Sequence, residues 1–211
     1  LTRLTQSLNC MSFIPGYPVE PTDIDRRTRH LEAMRDFSLL SAMAFHNYPL
    51  GPQRTKDGVD LARIVRGNIS EEQFFAEPSI MTIVNTNSPL KLDSPMGHGI
   101  IEHAKHGQIS VVTPFTLAGA MAPVTMAGAV AQSIAEALCA VALAQYIRPG
   151  AACAIGTFTS NVDMKSGAPA FGTPEYMRAT QMTGQLARFY GLPMRSSGVC
   201  AANVPDGQSM W

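Results

Sequence analysis

Apolar runs alternate with amphipathic stretches from residue 78 onward. Three apolar runs predict buried strands, because a strand covered on both faces carries nearly continuous apolar residues, and a fourth strand is predicted where the last helix ends. Between these runs, apolar residues recur three and four positions apart, as on the buried face of a helix. The strands are predicted near 80–84, 109–113, 152–158 and 193–197, and the helices near 95–106, 125–147 and 174–190.

The chain before residue 78 is less regular. Thr22 and Asp25 have the spacing of a capping box, which predicts that a helix opens there. Leu31 and Phe37 belong to the apolar stripe of this helix. Weaker strands are predicted at 12–14 and 45–50, and helical pieces at 60–66 and 70–75.

A long polar loop joins the third predicted strand to the last helix. Thr173 is expected to cap this helix, with Pro174 at its first position and Glu175 in its first turn. Gly167 and Gly172 in the loop indicate either a left-handed backbone or a close approach of another segment.

Loop lengths indicate the fold class. The connections from strand to helix are long and polar, whereas those from helix to strand are very short. Repeated strand–helix units build a parallel sheet, and no glycine-rich nucleotide-binding motif follows a predicted strand. We therefore expect an α/β fold of the TIM-type (β/α)₈ barrel class, although a doubly wound sheet would also place its ligand at these loops. Since too few strands are predicted for a closed barrel, residues 1–211 are expected to form one partial barrel domain of a larger polypeptide.

The predicted helix at 125–147 is long and apolar enough to cross a bilayer. However, Gln132, Glu136 and Gln145 interrupt it, and its apolar bulk is mainly alanine. A glutamate inside a membrane is costly, so a packed helix of a soluble protein is expected.

Composition narrows the classes of partner. The chain has 211 residues, of which 45% are hydrophobic, and no formal net charge. This balance does not favour nucleic acid or an anionic membrane as a partner. The cysteines are scattered without a C-x-x-C pair, so we expect reduced thiols and no zinc site. A charged-then-apolar signal pattern is missing from the start of the sequence, and a cytoplasmic protein is expected.

Polar and aromatic residues follow the predicted strands. Because the carboxyl ends of parallel strands share one face, these residues should converge on one mouth. Any one of them is also explained by a turn or a cap. Glu175 has such an explanation as a first-turn acid, whereas Asp163 has none and therefore ranks higher. The set comprises Asn85, Asn87, Thr113, Phe115, Phe158, Thr159, Asn161, Asp163, Ser196 and Ser197.

Neither a metal site nor a protein nucleophile is indicated. His98, His103 and His106 share a predicted helix without the spacing of a clean metal pair, so solvated histidines are expected. The sequence contains no Ser-His-Asp order and no nucleophile elbow. A cofactor would therefore have to bring the reactivity.

Five separated motifs occur in order through the second half of the chain. They are Asn87-Ser88-Pro89-Leu90, Ala118-Gly119-Ala120 with Ala122-Pro123-Val124-Thr125, Ala135-Glu136-Ala137-Leu138, Arg148-Pro149-Gly150-Ala151, and the run 160–176 continued by 187–193. With these motifs the chain resembles the trimethylamine methyltransferase family of corrinoid-dependent methyltransferases.

The resemblance implies a barrel enzyme that moves a methyl group from a quaternary amine, such as glycine betaine, or from a methylamine. The acceptor would be the cobalt of a corrinoid (cobalamin) that a separate corrinoid protein carries. The archaeal trimethylamine enzyme of the family contains pyrrolysine, which is absent here, so the resemblance is to the members without it. A homo-oligomer is expected, with no directly bound metal.

Roles for individual residues are our inference from this chemistry. A quaternary nitrogen is already cationic and leaves as a neutral amine, so the protein mainly positions reactants and screens charge. Asp163 is the candidate catalytic residue, since its carboxylate would offset the positive charge of the substrate. The predicted substrate-binding residues are Asn85, Thr113, Phe115, Phe158, Asn161 and Ser197, and the predicted corrinoid contacts are Met164 and Gly167.

Two alternatives stay open. Another TIM-barrel enzyme acting on a small acid or a sugar phosphate would have a phosphate site in later strands. A non-catalytic scaffold that binds a small ligand or a corrinoid protein would bind betaine without demethylating it.

Overall fold

The computed structural model describes residues 1–17 and 19–196. The helices are α1 (Thr2–Ser7), α2 (Arg29–Leu40), α3 (Pro52–Val65), α4 (Glu71–Ala76), α5 (Ser94–Lys105), α6 (Met126–Ile147) and α7 (Pro174–Phe189). The strands are β1 (Phe13–Ile14), β2 (Ala44–His46), β3 (Ile80–Val84), β4 (Ile109–Val112), β5 (Leu117–Ala118), β6 (Cys153–Thr157), β7 (Ser160–Val162), β8 (Pro169–Ala170) and β9 (Met194–Ser196).

Six strands form one sheet with the hydrogen-bonded order β1-β2-β3-β4-β6-β9. The register is parallel in the pairs β1–β2, β2–β3 and β6–β9. At least one helix separates each of these strands from the next along the chain. This arrangement confirms the predicted α/β class and agrees with part of a TIM-type barrel.

The predicted strands near 80–84, 109–113, 152–158 and 193–197 are confirmed as β3, β4, β6 and β9. The cap of the last helix is confirmed as well. The Thr173 hydroxyl accepts a hydrogen bond from the Tyr176 backbone N–H, and Pro174 begins α7. Gly167 and Gly172 have φ angles of +73° and +79°, in the left-handed region that favours glycine.

Two helix starts differ from the prediction. α2 begins at Arg29 rather than near Thr22, because the Asp25 carboxylate accepts a hydrogen bond from the Arg27 backbone N–H and closes a turn there. α3 begins at Pro52, well before the predicted piece at 60–66. Proline at a first helical position was the signal for this start.

The described residues divide into two compact units. Of the described residues, the first unit comprises those in 1–84, 94–110 and 143–152, and the second comprises those in 85–93, 111–142 and 153–196. Helices α2 and α3 cover β1, β2 and β3 in the first unit, and their apolar faces form its core. That core contains Ile14, Met34, Phe37, Phe45, Val59, Phe74 and Ile80. The prediction of a single partial barrel domain stays a prediction.

A neutral histidine is buried in the first unit. His103 is fully buried on α5, where its Nδ1–H donates to the Ile109 carbonyl at 3.1 Å. Its Nε2 then accepts a hydrogen bond from Asn47 Nδ2 at 3.0 Å. Burial lowers the pKa of His103 to about 3. The expectation of a solvated side chain is therefore wrong for His103, whereas it is confirmed for His98, which is exposed.

The second unit contains a small sheet that the sequence analysis treated as loops. β5 pairs in parallel with β7, and β7 pairs antiparallel with β8. These strands have only two or three residues each. Strands this short carry too little alternation of apolar and polar residues to be recognised.

α6 is, in the described part of the chain, the one helix long and apolar enough to cross a membrane. Of the most apolar 18-residue stretch of α6, 44% is buried inside the protein. Its face toward residues 86–90 packs on protein, because Glu136 is 5% exposed and hydrogen-bonded to that loop.

The Glu136 carboxylate holds the loop that follows β3. It accepts hydrogen bonds from the Thr86 hydroxyl, from the Ser88 hydroxyl at 2.8 Å and from the Leu90 backbone N–H at 2.9 Å. Gln132 on the same helix adds a fourth at 3.0 Å. Burial alone would raise the pKa of Glu136, but these hydrogen bonds outweigh it and leave the pKa below its ordinary value.

The neutral His103 makes stability depend on pH. In the unfolded chain its pKa returns to about 6.5, so the unfolded state binds the extra proton between pH 6.5 and 3. The stabilisation is fully present above pH 6.5 and is lost as the pH falls below it. We expect this group to remove about 2 kcal/mol from the free energy of unfolding between pH 7 and pH 5.

Urea unfolding of His103→Gln at both pH values measures this effect, since glutamine does not titrate. The variant should lack that part of the pH dependence, whatever its own stability. The control His98→Gln changes an exposed histidine of the same helix and should keep the parental dependence. Equal pH slopes for His103→Gln and the parent would contradict the assignment.

The hydrogen bonds of Glu136 predict that glutamine at this position, although nearly the same shape, destabilises the protein. Glu136→Gln replaces one acceptor oxygen by an NH₂ donor that faces the Thr86, Ser88 and Leu90 donors. We expect a loss of about 1–3 kcal/mol in the free energy of unfolding at pH 7. Glu102→Gln, at a partly exposed ion pair with Lys105, is the control and should cost less than about 1 kcal/mol. Similar losses in the two variants would show that the loop does not depend on the carboxylate.

Candidate functional site

The segments that follow β4 and β6 run side by side in the second unit. The Phe158 backbone N–H donates to the Pro114 carbonyl at 3.2 Å, and the Ser160 N–H donates to the Thr116 carbonyl at 3.3 Å. Parallel pairing of β5 with β7 continues this contact. Residues at the carboxyl ends of the two strands are therefore held next to each other.

Four aromatic rings cluster at these strand ends. Phe158 is central, with its ring centroid 5.5 Å from Phe115, 4.9 Å from Phe171 and 6.3 Å from Tyr176. Tyr176 is fully buried, and the three phenylalanines are half-buried. The contacts with Phe171 and Tyr176 are edge-to-face, so in each pair the edge of one ring packs on the face of the other.

The structure thus brings together the predicted residues Phe115 and Phe158. It adds Phe171 and Tyr176, which the sequence analysis missed. Phe171 directly precedes Gly172 and the cap of α7, and Tyr176 is the third residue of that helix. An aromatic residue on each side of a predicted cap was the signal that could have identified them.

Buried hydroxyls lie beside the rings. The Thr116 and Thr159 hydroxyl oxygens are 2.5 Å apart, and Thr157 donates to Thr159 at 3.3 Å. Thr113 is buried, and its Oγ1 has no hydrogen-bond partner among the described residues. A Cβ at Gly156 would lie 2.1 Å from this oxygen, so β6 needs glycine there.

The two asparagines that were predicted to bind substrate have local partners. Asn85 Nδ2 donates to the Thr113 carbonyl at 3.0 Å, which places these two predicted residues together. Asn161 Oδ1 accepts from the Thr173 hydroxyl at 2.8 Å and so connects β7 to the cap of α7. Both amides therefore position the strand ends, in addition to any contact with a ligand.

Asp163, Met164 and Gly167 lie together at the exposed turn between β7 and β8. The Asp163 carboxylate accepts hydrogen bonds from the backbone N–H groups of Lys165 at 2.7 Å and Ser166 at 3.1 Å. These bonds lower the pKa of Asp163 below its ordinary value, and the one from Lys165 has the largest effect. The premise that Asp163 has no local structural role is therefore wrong, because a turn of this kind uses an aspartate. Its role toward a substrate stays a prediction.

The positions of Glu175 and Ser197 complete the comparison with the predicted residues. Glu175 lies in the first turn of α7, as expected. Ser197 lies outside the described residues. Within residues 1–17 and 19–196, no group of three or more His, Cys, Asp or Glu side chains is placed to hold a metal ion.

Known proteins with similar sequences are methyltransferases. A glycine betaine methyltransferase of Desulfitobacterium hafniense (strain Y51) is 33% identical over 93% of this chain. Trimethylamine methyltransferase MttB1 of Methanosarcina mazei is 33% identical over 66% of it, and MttB of Methanosarcina barkeri (strain Fusaro) is 31% identical over 80%. The chain spans 40%, 28% and 34% of the lengths of these three proteins.

Among solved structures, an L-hydantoinase from Arthrobacter aurescens aligns with 94% of this chain and 42% of its own chain. Its sequence identity is 15% and its TM-score is 0.37. The family model described as trimethylamine methyltransferase, in contrast, matches residues 1–211. This match covers the whole sequence and confirms the resemblance carried by the five motifs. The chain belongs to the trimethylamine methyltransferase family.

Proposed function

We propose that the protein carrying this chain transfers a methyl group from a small quaternary amine to a corrinoid held by a partner protein. Glycine betaine is the first candidate substrate, because a glycine betaine methyltransferase is 33% identical to this chain. The observation that carries the proposal is the cluster of Phe115, Phe158, Phe171 and Tyr176 at the ends of two strands.

Aromatic rings suit such a substrate. A quaternary ammonium group cannot donate hydrogen bonds, so it is recognised through ring faces and shape. The three half-buried phenylalanines offer apolar surface to methyl groups, and the fully buried Tyr176 packs against Phe158 and Phe171. Because apolar walls also exclude water, the charge of the ammonium group is poorly solvated there, which favours its conversion to a neutral amine.

The reaction then needs little from acid or base groups. The bond between nitrogen and one methyl carbon breaks, its electron pair stays on nitrogen, and a neutral tertiary amine leaves. The reduced corrinoid, as the acceptor substrate, supplies the nucleophile. The protein contributes position, as the rings orient one methyl group outward.

Polar groups near the rings would hold the other end of the substrate. In this proposal, Asn85 after β3 and Thr113 after β4 contact the carboxylate of the betaine, with Asn161 on β7. Asp163 supplies a fixed negative charge, since its hydrogen bonds to the turn favour the ionised form. Met164 is 83% exposed beside Gly167, so this turn is the surface that we assign to the corrinoid partner.

The reaction itself is the first test. Full-length protein, supplied with reduced corrinoid and glycine betaine, should form dimethylglycine while the absorbance of the reduced corrinoid decreases. A panel of quaternary and tertiary methylamines extends the assay to other substrates. Protein that binds betaine without converting it would be a binding scaffold, and failure across the whole panel with verified reduced corrinoid would refute methyl transfer.

The ring cluster makes a separate prediction. Phe158→Leu keeps an apolar side chain but removes the ring, and we expect it to raise the substrate concentration for half-maximal rate by about 5- to 30-fold, the equivalent of about 1–2 kcal/mol. Phe189→Leu, at an 80% exposed ring on α7, is the matched control and should leave this concentration unchanged. An uncharged isostere of betaine, with carbon in place of nitrogen, is not a substrate, and as a competitive inhibitor it should have the same inhibition constant with the parent and with Phe158→Leu. If the parent and Phe158→Leu reach half-maximal rate at the same betaine concentration, the cation–π role of this ring is refuted.

A further inference from the structure

A cleft lined by arginines lies at the carboxyl ends of β1 and β2, within the first unit. Tyr17 and Tyr48 come shortly after these two strands and form one wall. Arg29 is the first residue of α2 and Arg54 the third residue of α3. The cleft has a volume of about 430 Å³, in the range of sites for small ligands.

The positive charge of the cleft is only partly neutralised. Arg29 donates to the Glu20 carboxylate at 2.6 Å and to the Ile24 carbonyl at 2.9 Å, so it is already paired. Arg54 donates to the Arg26 carbonyl at 2.8 Å. Neither Arg54 nor Arg26 forms an ion pair with a carboxylate in the described part of the chain. Two guanidinium groups are therefore left for an anion.

The tyrosine wall is rigid. The Tyr17 and Tyr48 rings stack with centroids 4.7 Å apart, and the Tyr17 backbone N–H donates to the Tyr48 hydroxyl at 2.6 Å. Burial, and to a lesser extent Glu20, raises the pKa of Tyr17. Its hydroxyl therefore stays protonated at neutral pH and can donate a hydrogen bond.

A buried polar atom at the cleft lacks a partner. His30 lines the cleft and is 5% exposed. Its Nε2 lies 2.9 Å from the Asp57 carboxylate, while its Nδ1 has no hydrogen-bond partner among the described residues. Buried polar atoms in folded proteins normally have a partner, and this nitrogen is shielded from solvent.

We propose that this cleft binds the phosphate group of a small aromatic ligand. A phosphate dianion balances the two unpaired guanidinium groups, whose planar forks match its oxygens. The N-termini of α2 and α3, marked by Arg29 and Arg54, add favourable backbone dipoles. The stacked tyrosines offer a flat face for the aromatic part. This site is independent of the amine reaction.

Calorimetric titration of the full-length protein with phenyl phosphate tests the site, at low salt and without amine or corrinoid. Saturable binding is expected, with inorganic phosphate and benzoate both weaker, because each lacks one half of the recognised group. Arg26→Gln should weaken phenyl phosphate binding roughly tenfold, the effect of losing one charged hydrogen bond. No described group pairs with the Arg26 side chain, so thermal unfolding should be unchanged.

Three further variants test the same site. Arg54→Gln should also weaken binding, and Arg54→Lys should recover part of it, since lysine keeps the charge without the fork. Arg35→Gln changes an exposed arginine of α2 outside the cleft and should have no effect. Absence of saturable binding, or equal affinities for Arg26→Gln and Arg35→Gln, would overturn the site. Inorganic phosphate binding as tightly as phenyl phosphate would overturn the aromatic assignment.

Discussion

Backbone hydrogen bonds between the segments after β4 and β6 are the contact on which the candidate site depends. Phe158 to Pro114 and Ser160 to Thr116 are bonds between main-chain atoms, so they fix the course of both segments irrespective of side chain. They bring Phe115 beside Phe158, and the small sheet of β5, β7 and β8 then carries the chain back to Phe171. The ring cluster is therefore a result of loop pairing, and no single element could build it.

The two surfaces proposed as binding sites have opposite chemistry. The rings of the second unit present apolar faces with negative electrostatic potential, which attract a cation that cannot donate hydrogen bonds. The cleft of the first unit presents Arg26 and Arg54, which donate many hydrogen bonds to an anion. Each surface begins where a strand ends, as expected for loops at the carboxyl face of a parallel sheet.

The main elements were predictable because they depend on local signals. β3 and β6 consist mostly of apolar or small residues, and Thr173 followed by Pro174 marks the start of α7. The site was predictable only in part. Phe115 and Phe158 follow predicted strands, but Phe171 reaches them through pairing between loops, which depends on residues far apart in sequence.

The errors have the same origin. From the sequence alone Asp163 is expected to be a site residue without a local role, yet its carboxylate closes a turn through two backbone N–H groups. His103 is expected to be solvated from its helix alone, but Asn47 and the Ile109 carbonyl satisfy both ring nitrogens inside the unit. In each case the hydrogen-bond partner determines the environment of the side chain, and a pattern of residue types does not identify that partner.

The position of Glu136 on α6 also bears on the order of folding. Its partners Thr86 and Leu90 are 50 and 46 residues away in sequence, with β4 and β5 between them. Closing such a span costs chain entropy before any hydrogen bond repays it. The loop after β3 should therefore become ordered late, after α6 has docked, and the rate of hydrogen exchange at the Leu90 amide would report how often it detaches from the folded protein.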